Sequence, residues 1–442
     1  MTRFLASVTS ALLLAAPAAQ GADLMEIYRM AQAADAQYAA ARAAWSAGQE
    51  KLPQGLSGLL PSASVSASTQ HNDRDIRTRD PGAPEVNSRF NSNSVSASVS
   101  QPLYRPQNVA TYQQAKAQVV QADAVLAQAS QDLILRVAQA YFDVLLAQDT
   151  IAFAQAQLTA IGRQLEQAKR NFEVGTATIT DTHEAQSRYD LTVSLEITAR
   201  NDLEVRKRLL ELILGRPAPG LAPLGPRFTL RYPEPNNPAI WVADAGHNNP
   251  QVRISQAAVD FASKEVERNR AGHRPTLDAF ATYTDSGSGA GTVGIAGTDT
   301  TARVVGVQLA VPIYQGGLTS SRVREALANE EKARQELDNV RRTAQLTAQQ
   351  TYLGVASGVS QVKALDAALV SSQSSLDSTR LGQEVGVRTL IDVLNAQQQL
   401  SQTRRDLAQA KYNYIISLLR LKAAAGQLVE DDIALVNSWL DR

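Results

Sequence analysis

Cysteine is missing from this 442-residue chain, which excludes disulfide bonds, thiolate metal sites and a lipid anchor on an N-terminal cysteine. An excess of either charge is missing too. The 43 basic residues balance the 43 acidic ones, and no run of Lys or Arg points to a nucleic-acid partner. Aromatic residues make up only 5% of the chain, whereas Ala, Gln, Leu and Arg are abundant. This composition is typical of long helices packed at close range rather than of a globular core.

Long apolar runs are also missing beyond the N-terminus, where no stretch approaches the roughly 18 consecutive apolar residues that a membrane-spanning helix needs. The N-terminus itself has a basic start at Arg3, an apolar run over 5–16 and small residues as far as Ala22. This order is that of a secretory signal peptide, so we expect residues 1–21 to be removed and the mature chain to leave the cytoplasm.

Signs of a catalytic or metal site are lacking as well. The four histidines are dispersed without metal-ligand spacing, and no Gly-rich phosphate loop or Ser/His/Asp spacing is present. The sequence therefore predicts no catalytic residue, no metal and no cofactor, and it makes an enzyme the weakest hypothesis.

The strongest positive signal is a repeated segment, E-V-G-x-x-T-[IL]-x-D-x-x-x-A-Q, which occurs at 173–186 and again at 384–397. In each copy a helical pattern runs into Val-Gly, stops, and restarts after a Thr and an Asp. Such a pattern predicts a glycine C-cap, a short turn and a capped helix. Gly175 and Gly386 are thus expected at the tips of two helical hairpins, one in each half of the chain.

Strand-like segments come in two pairs, each alternating small or apolar residues with polar ones over about seven to nine residues. The segments are 62–68, 92–100, 276–283 and 305–311. The polar stretches inside each pair, 71–91 and 285–301, are expected to be loops.

Helical periodicity covers most of the remaining chain. The expected helices are 23–51, 106–172, 181–214, 240–269, 319–384 and a final helix that ends near 426. The first of these should end at Pro53 and Gly55. Each long helix would extend roughly 100 Å at about 1.5 Å per residue. Apolar residues spaced by three and four in the first long helix and in the final one indicate coiled-coil seams.

These elements indicate an internal duplication, in which each half has a helix, two strands, a long helix, a tip and a helix. We expect a first repeat over 22–214, a Pro/Gly-rich linker over 215–238 in an equatorial belt, a second repeat over 239–426 and a C-terminal segment over 427–442.

Four strands cannot close a barrel by themselves, and lipid does not tolerate open sheet edges. Several chains would therefore share one barrel. A dimer would supply eight strands, about the smallest transmembrane barrel, and a trimer would supply twelve. A soluble sandwich with serine-rich faces is the alternative for the strands. A periplasmic coiled-coil adaptor or another structural protein of the envelope is the alternative for the whole chain.

Several segments resemble the TolC-type outer-membrane exit ducts, and the resemblance covers nearly the whole mature chain. The most specific are 272–277, 311–317, 385–396 and 408–421. The resemblance implies a mainly α fold with a β-barrel, in which long antiparallel coiled-coil helices and four transmembrane strands per chain form a trimeric tunnel. It implies a homotrimer in outer-membrane lipid that passively conducts drugs or secreted proteins. A periplasmic adaptor and an inner-membrane ABC or proton-driven transporter would be its partners. The missing N-terminal cysteine favours the non-lipidated branch capable of type I secretion.

The resemblance also assigns roles at the tips. Three copies of Asp392 would form a carboxylate ring at a gated periplasmic aperture, which favours cations. Asn395 occupies the position where the family usually has a second acidic residue, so the ring should be less negative. Arg388 and Asp181 match a latch that holds the aperture closed, and Gln383 replaces a tyrosine that commonly takes part. In the alternative interpretation, Asp181 and Asp392 are only helix N-caps and Arg388 is a solvated surface charge.

Overall fold

The computed structural model describes residues 21–77, 79–82, 85–290 and 296–441, and residues 1–20 of the expected signal peptide lie outside this range. The chain forms two compact units. The first comprises Met1–Ala40, Gln128–Asn249 and Ala344–Arg442; the second comprises Ala41–Ala127 and Pro250–Thr343. Each unit therefore draws on both halves of the sequence.

The second unit contains a four-stranded antiparallel sheet. Its strands, in the order in which they pair, are β1 Ser62–Ile76, β2 Val86–Tyr104, β3 Thr276–Ala290 and β4 Ala296–Ala310. The four predicted strands are confirmed, but the loops predicted over 71–91 and 285–301 are wrong, because most of these residues belong to the strands. The apolar alternation ends where both faces become polar, while backbone pairing continues, as between Asp73 and Arg89.

The two faces of the sheet differ in chemistry. On one face hydroxyl groups meet across the strands, with 2.8 Å between the Oγ atoms of Ser64 and Ser98. The opposite face carries Val65 paired with Ala97. On the hydroxylated face Phe280 lies over Gly306, where a Cβ atom would come within 3.1 Å of the ring. An aromatic ring over a strand glycine covers backbone that would otherwise be exposed.

Ten α-helices were found among the described residues. They are α1 Leu24–Ala34, α2 Ala36–Gln49, α3 Lys51–Ser57, α4 Pro106–Glu173, α5 Ile179–Leu214, α6 Pro238–Asn248, α7 Pro250–Arg270, α8 Leu318–Glu384, α9 Leu390–Ala424 and α10 Glu430–Asn437. The two long helices are confirmed, with 68 residues in α4 and 67 in α8. By length and composition, α8 alone among the described helices could cross a membrane, and a single such helix is weak evidence of a span.

Two of the predicted helices are interrupted. The expected helix over 23–51 is divided at Asp35, whose carboxylate accepts a hydrogen bond of 2.6 Å from the backbone N–H of Tyr38 and so restarts the helix. A turn at Glu50 ends α2 close to the predicted end at 51, but Pro53 and Gly55 do not stop the chain from being helical. Pro53 lies in the first turn of α3, where a backbone N–H is not needed. The expected helix over 240–269 is divided at Asn249, which adopts an extended ψ before Pro250.

The Pro/Gly-rich segment 215–238 is anchored to the first unit by tyrosines from both long helices. The Tyr141 hydroxyl of α4 donates to the backbone oxygen of Ala222 at 2.7 Å. The Tyr352 hydroxyl of α8 donates to the Asn236 side-chain oxygen, also at 2.7 Å. Tyr141 and Tyr352 occupy equivalent positions in the duplication, 211 residues apart. The duplicated helices thus hold two successive parts of one segment.

Candidate functional site

The repeated segment forms two hairpin tips in the first unit, one between α4 and α5 and the other between α8 and α9. Gly175 has φ +74° and Gly386 has φ +78°, both in the left-handed region that favours glycine. After each glycine the backbone turns back onto the preceding helix, as in the 2.8 Å hydrogen bond from the Val387 N–H to the Gly382 oxygen. The tip geometry therefore follows from local sequence.

A capping box starts the second helix of each hairpin. At the first tip the Thr178 N–H donates to Asp181 Oδ2 at 2.9 Å, and the Asp181 N–H donates to Thr178 Oγ1 at 3.2 Å. At the second tip Thr389 and Asp392 exchange the same bonds at 3.0 and 3.2 Å. The interpretation of the aspartates as N-caps is therefore corrected. The threonines are the N-caps, and each aspartate lies at the third helical position.

Asp392 is held in its charged form. Hydrogen bonds from the Thr389 backbone and hydroxyl, with a smaller contribution from nearby Arg388, lower the pKa of the Asp392 carboxyl below its ordinary value. The Thr389 backbone N–H and the Thr389 hydroxyl both donate to Asp392 Oδ2, each at 3.0 Å. A charged oxygen thus remains available at the second tip.

The predicted latch residues meet in one polar pocket between the two hairpins. This pocket, of about 400 Å³, is lined by Asp181 from the first tip and by Gln383 and Arg388 from the second. The aliphatic part of Arg388 lies against Gly382, where a Cβ atom would come within 2.7 Å of it. Within the described chain Arg388 makes no salt bridge, with Asp181 or any other carboxylate. The structure thus brings the three residues together without an ion pair.

Asn395 is engaged by a residue that the sequence did not single out. Arg188 of α5 donates through Nη2 to Asn395 Oδ1 at 3.0 Å and through Nη1 to Gln398 Oε1 at 2.7 Å. Both acceptors lie on α9, so Arg188 cross-links the two hairpins. The sequence offered one clue to Arg188, since it lies seven residues after Asp181 on the same predicted helix. Its partners could not be predicted, because they lie more than 200 residues away in the chain.

Below the tips the two hairpins share a small apolar core. Buried side chains from α4, α5 and α9 pack together, namely Ile161, Leu165, Ala168, Ala185 and Leu394. Three of them belong to the seam predicted in α4, and they hold the start of α9 beside the first hairpin. The pocket therefore rests on packed helices rather than on loops alone.

Comparison with known proteins decides the family. The family model described as outer membrane efflux protein matches residues 27–216 and 241–427. The chain belongs to the outer membrane efflux protein family. It is 34% identical to the outer membrane protein TolC of Escherichia coli, over 96% of this chain and 86% of that protein. It is 33% identical to the alkaline protease secretion protein AprF of Pseudomonas aeruginosa, over 93% of this chain and 86% of the relative.

Solved structures have the same fold at low sequence identity. The Campylobacter jejuni CmeC outer membrane channel matches with a TM-score of 0.78 at 16% identity, over 95% of this chain and 90% of that one.

The predicted family and fold class are thereby confirmed. The chain is an outer-membrane exit duct for efflux or type I secretion, with a periplasmic tunnel, and its family is one of transport ducts rather than of enzymes. Among the described residues no group of His, Asp and Glu could hold a metal ion.

Proposed function

We propose that the chain works as a homotrimer whose three sheets close into a twelve-stranded barrel. The observation that supports this proposal is the four-stranded antiparallel sheet, in which β1 and β4 each pair on one side only among the described residues. On β4 the side chains of Val305, Val307 and Leu309 share one face and are mostly exposed in the single chain. Edge pairing between copies would satisfy the backbone, and lipid would cover these side chains.

The helices of the first unit also carry exposed apolar residues that suit contact with further copies. Leu346 and Leu353 of α8 lie seven residues apart, and each is more than half exposed. Leu212 of α5 is 79% exposed. A water-soluble helix rarely leaves so many large apolar side chains open, so neighbouring subunits are their natural cover.

We further propose that the tips form the aperture. Asp392 of three copies would supply the carboxylate ring, weakened by Asn395, whose side chain is neutral. Arg388 would latch the closed state by donating to Asp181, whose Oδ1 has no hydrogen bond among the described residues. Gln383 lines the same pocket and would provide a neutral hydrogen-bond partner there.

The partners proposed for the duct are a periplasmic adaptor and an inner-membrane ABC or proton-driven transporter, which would supply the energy. Polypeptide cargo is favoured, because two relatives are named for protease secretion. One is AprF, and the other is the proteases secretion protein PrtF of Dickeya chrysanthemi, 31% identical over 99% of this chain and 96% of the relative. Drug efflux is the second candidate, supported by the description of the family itself.

Deleting the gene and measuring exported proteins and antibiotic susceptibility in parallel tests the proposed cargo. Loss of an exported protein with unchanged susceptibility supports secretion. Increased susceptibility with an unchanged set of exported proteins contradicts it and supports efflux. Re-expression of the intact chain should restore the lost phenotype in either case.

A further inference from the structure

A second cavity, of about 510 Å³, lies in the first unit where segment 215–238 passes α9 and the C-terminal residues. Its size is within the range of about 300 to 1,000 Å³ that is usual for small-molecule sites. None of the tip residues lines it. It is therefore separate from the proposed aperture.

Aromatic side chains form one wall of this cavity, and the contacts around them fix their positions. They are Tyr232, Trp241, Tyr414 and Trp439. The Trp241 Nε1 donates to the Pro235 oxygen at 2.8 Å. The Tyr414 hydroxyl donates to the Arg231 oxygen at 2.7 Å and accepts from the Arg231 N–H at 3.0 Å. Trp241, Tyr414 and Trp439 are buried and held by packing, so Tyr232 is the aromatic side chain of the wall that is open to a ligand.

Phe228 supports this wall from behind. Its ring lies edge-on to Tyr414, with 6.0 Å between ring centroids, and edge-on to Trp439, with 5.6 Å. Edge-to-face packing at these distances is favourable for aromatic pairs. The buried part of the wall is therefore held rigidly behind Tyr232.

Positive charge predominates among the charged residues that line the cavity. Arg227 and Arg231 line the cavity, and within the described chain neither guanidinium makes a salt bridge. Lys422 also lines it but is already paired with Asp432. Lys363 lies over the ring of Tyr232, 5.8 Å from its centroid. Glu234 is the carboxylate of the lining, so the cations exceed the anions there.

We propose that this cavity binds an aromatic anion. Its flat apolar body would pack on the exposed side chain of Tyr232, in the part of the cavity lined by Trp241 and Trp439, and its carboxylate or sulfonate would accept hydrogen bonds from Arg227 and Arg231. A planar guanidinium matches a carboxylate or sulfonate through two parallel hydrogen bonds. A neutral aromatic compound would leave the guanidinium groups unused, and an inorganic anion would leave the apolar wall unused.

The test uses the full chain in lipid nanodiscs with naphthalenesulfonate as the probe. Calorimetry against empty nanodiscs measures binding, and tryptophan emission in a Trp45→Phe background locates it, because Trp241 and Trp439 are then the remaining tryptophans of the three in the chain. We expect saturable binding that changes this emission. Sulfate and naphthalenemethanol should each bind at least about tenfold more weakly, since each offers only half of the interaction.

Paired variants test the residues. The double substitution R227Q/R231Q should weaken naphthalenesulfonate binding by about tenfold or more, because it removes two charge-assisted donors. Tyr232→Ala changes an exposed side chain of the wall and should also weaken binding. Arg253→Gln, at an exposed arginine of the second unit, is the matched control and should bind as the parent does. Absence of saturable binding to the parent, or equal affinity in R227Q/R231Q, would overturn the proposal. Equal affinity for sulfate or for naphthalenemethanol would overturn it as well.

Discussion

Tyr412 of α9 donates its hydroxyl proton to the Asp149 carboxylate of α4 at 2.6 Å, while the ring of Tyr412 stacks on Phe142. The pair joins the two halves of the duplication within the first unit. Burial raises the pKa of Asp149 above its ordinary value, and the hydrogen bond from Tyr412 opposes this only in part. The pair is therefore a contact between helices whose strength depends on protonation.

Replacing Tyr412 and replacing Asp149 should change the free energy of unfolding in different directions. Tyr412→Phe leaves the Asp149 carboxylate without its donor and should lower the free energy of unfolding by about 1 to 3 kcal/mol. Asp149→Asn keeps an acceptor but removes the poorly solvated charge, so it should be neutral or stabilising near neutral pH. Chemical unfolding followed by circular dichroism measures both.

Because the pKa of Asp149 is raised, the difference in stability between the parent and Asp149→Asn should depend on pH. A raised pKa means that the contribution of Asp149 to stability is fully present below its unfolded-state pKa, and it is lost as pH rises through the folded-state pKa. The advantage of Asp149→Asn should therefore shrink on acidification. An advantage that grows at acid pH contradicts this assignment.

The ion pair between Asp35 and Arg136 should have the opposite pH dependence. Two hydrogen bonds of 2.9 Å join the guanidinium of Arg136 to the Asp35 carboxylate, and they hold the pKa of Asp35 below its ordinary value. This stabilisation is present above the unfolded-state pKa and is lost as pH falls through the lowered one. Arg136→Met should lower the free energy of unfolding by about 3 kcal/mol near neutral pH, because it leaves the buried Asp35 carboxylate without its cation. The cost should decrease at strongly acid pH, and a cost independent of pH contradicts the pairing.

Features that depend on neighbouring residues in the sequence could be predicted. The tips at Gly175 and Gly386 follow from a positive φ and a capping threonine, which are local properties, and the long helices follow from uninterrupted periodicity. The strand ends were missed, because residues such as Asp73 and Arg89 are polar on a strand whose alternating pattern has stopped. The helix interruption at Asp35 was missed, because an aspartate inside an alanine-rich pattern is compatible with a continuous helix.

Contacts between distant parts of the chain could not be predicted. Arg188 reaches Asn395 and Gln398 only because two helical hairpins lie side by side. The repeat in the sequence shows that there are two hairpins but not which of their residues are in contact. The anchoring of segment 215–238 by Tyr141 and Tyr352 was missed for the same reason. The equivalence of the two tyrosines in the repeat becomes meaningful only once their different partners are known.

The two tip glycines should respond alike to substitution. Gly175→Ala and Gly386→Ala each place a Cβ atom on a left-handed residue, where no neighbouring atom lies within 4 Å. Each alanine should therefore destabilise its tip by about 1 to 2 kcal/mol through backbone strain, without a steric clash. Asparagine tolerates this conformation better, so Gly175→Asn and Gly386→Asn should cost less. Hydrogen exchange of the tip amides measures the change, and an asparagine variant less stable than the alanine variant contradicts this interpretation.

Thr389 should control the charge of Asp392. Since the lowered pKa of Asp392 depends mainly on Thr389, Asp392 should keep its charge, and the channel its cation preference, until pH falls through that lowered pKa. Thr389→Val removes the hydroxyl donor and should move the loss of cation preference to higher pH. Reversal potentials in planar bilayers measure this preference, and Thr178→Val at the first tip is the matched control. An unchanged pH profile in Thr389→Val contradicts the role of the capping box.

Single-channel conductance is the sharpest test of a gated aperture at the hairpin tips. The parent chain should insert into planar bilayers as low-conductance pores. Arg388→Ala and Asp181→Ala should each open wider, and the double variant should add little, because both single changes remove the same latch. Arg188→Ala, which changes a cross-link to α9 without touching the pocket between the tips, is the comparison that separates loosened hairpins from a lost latch. Higher conductance in both latch variants is the predicted result, and conductance identical to the parent in both would contradict the gate.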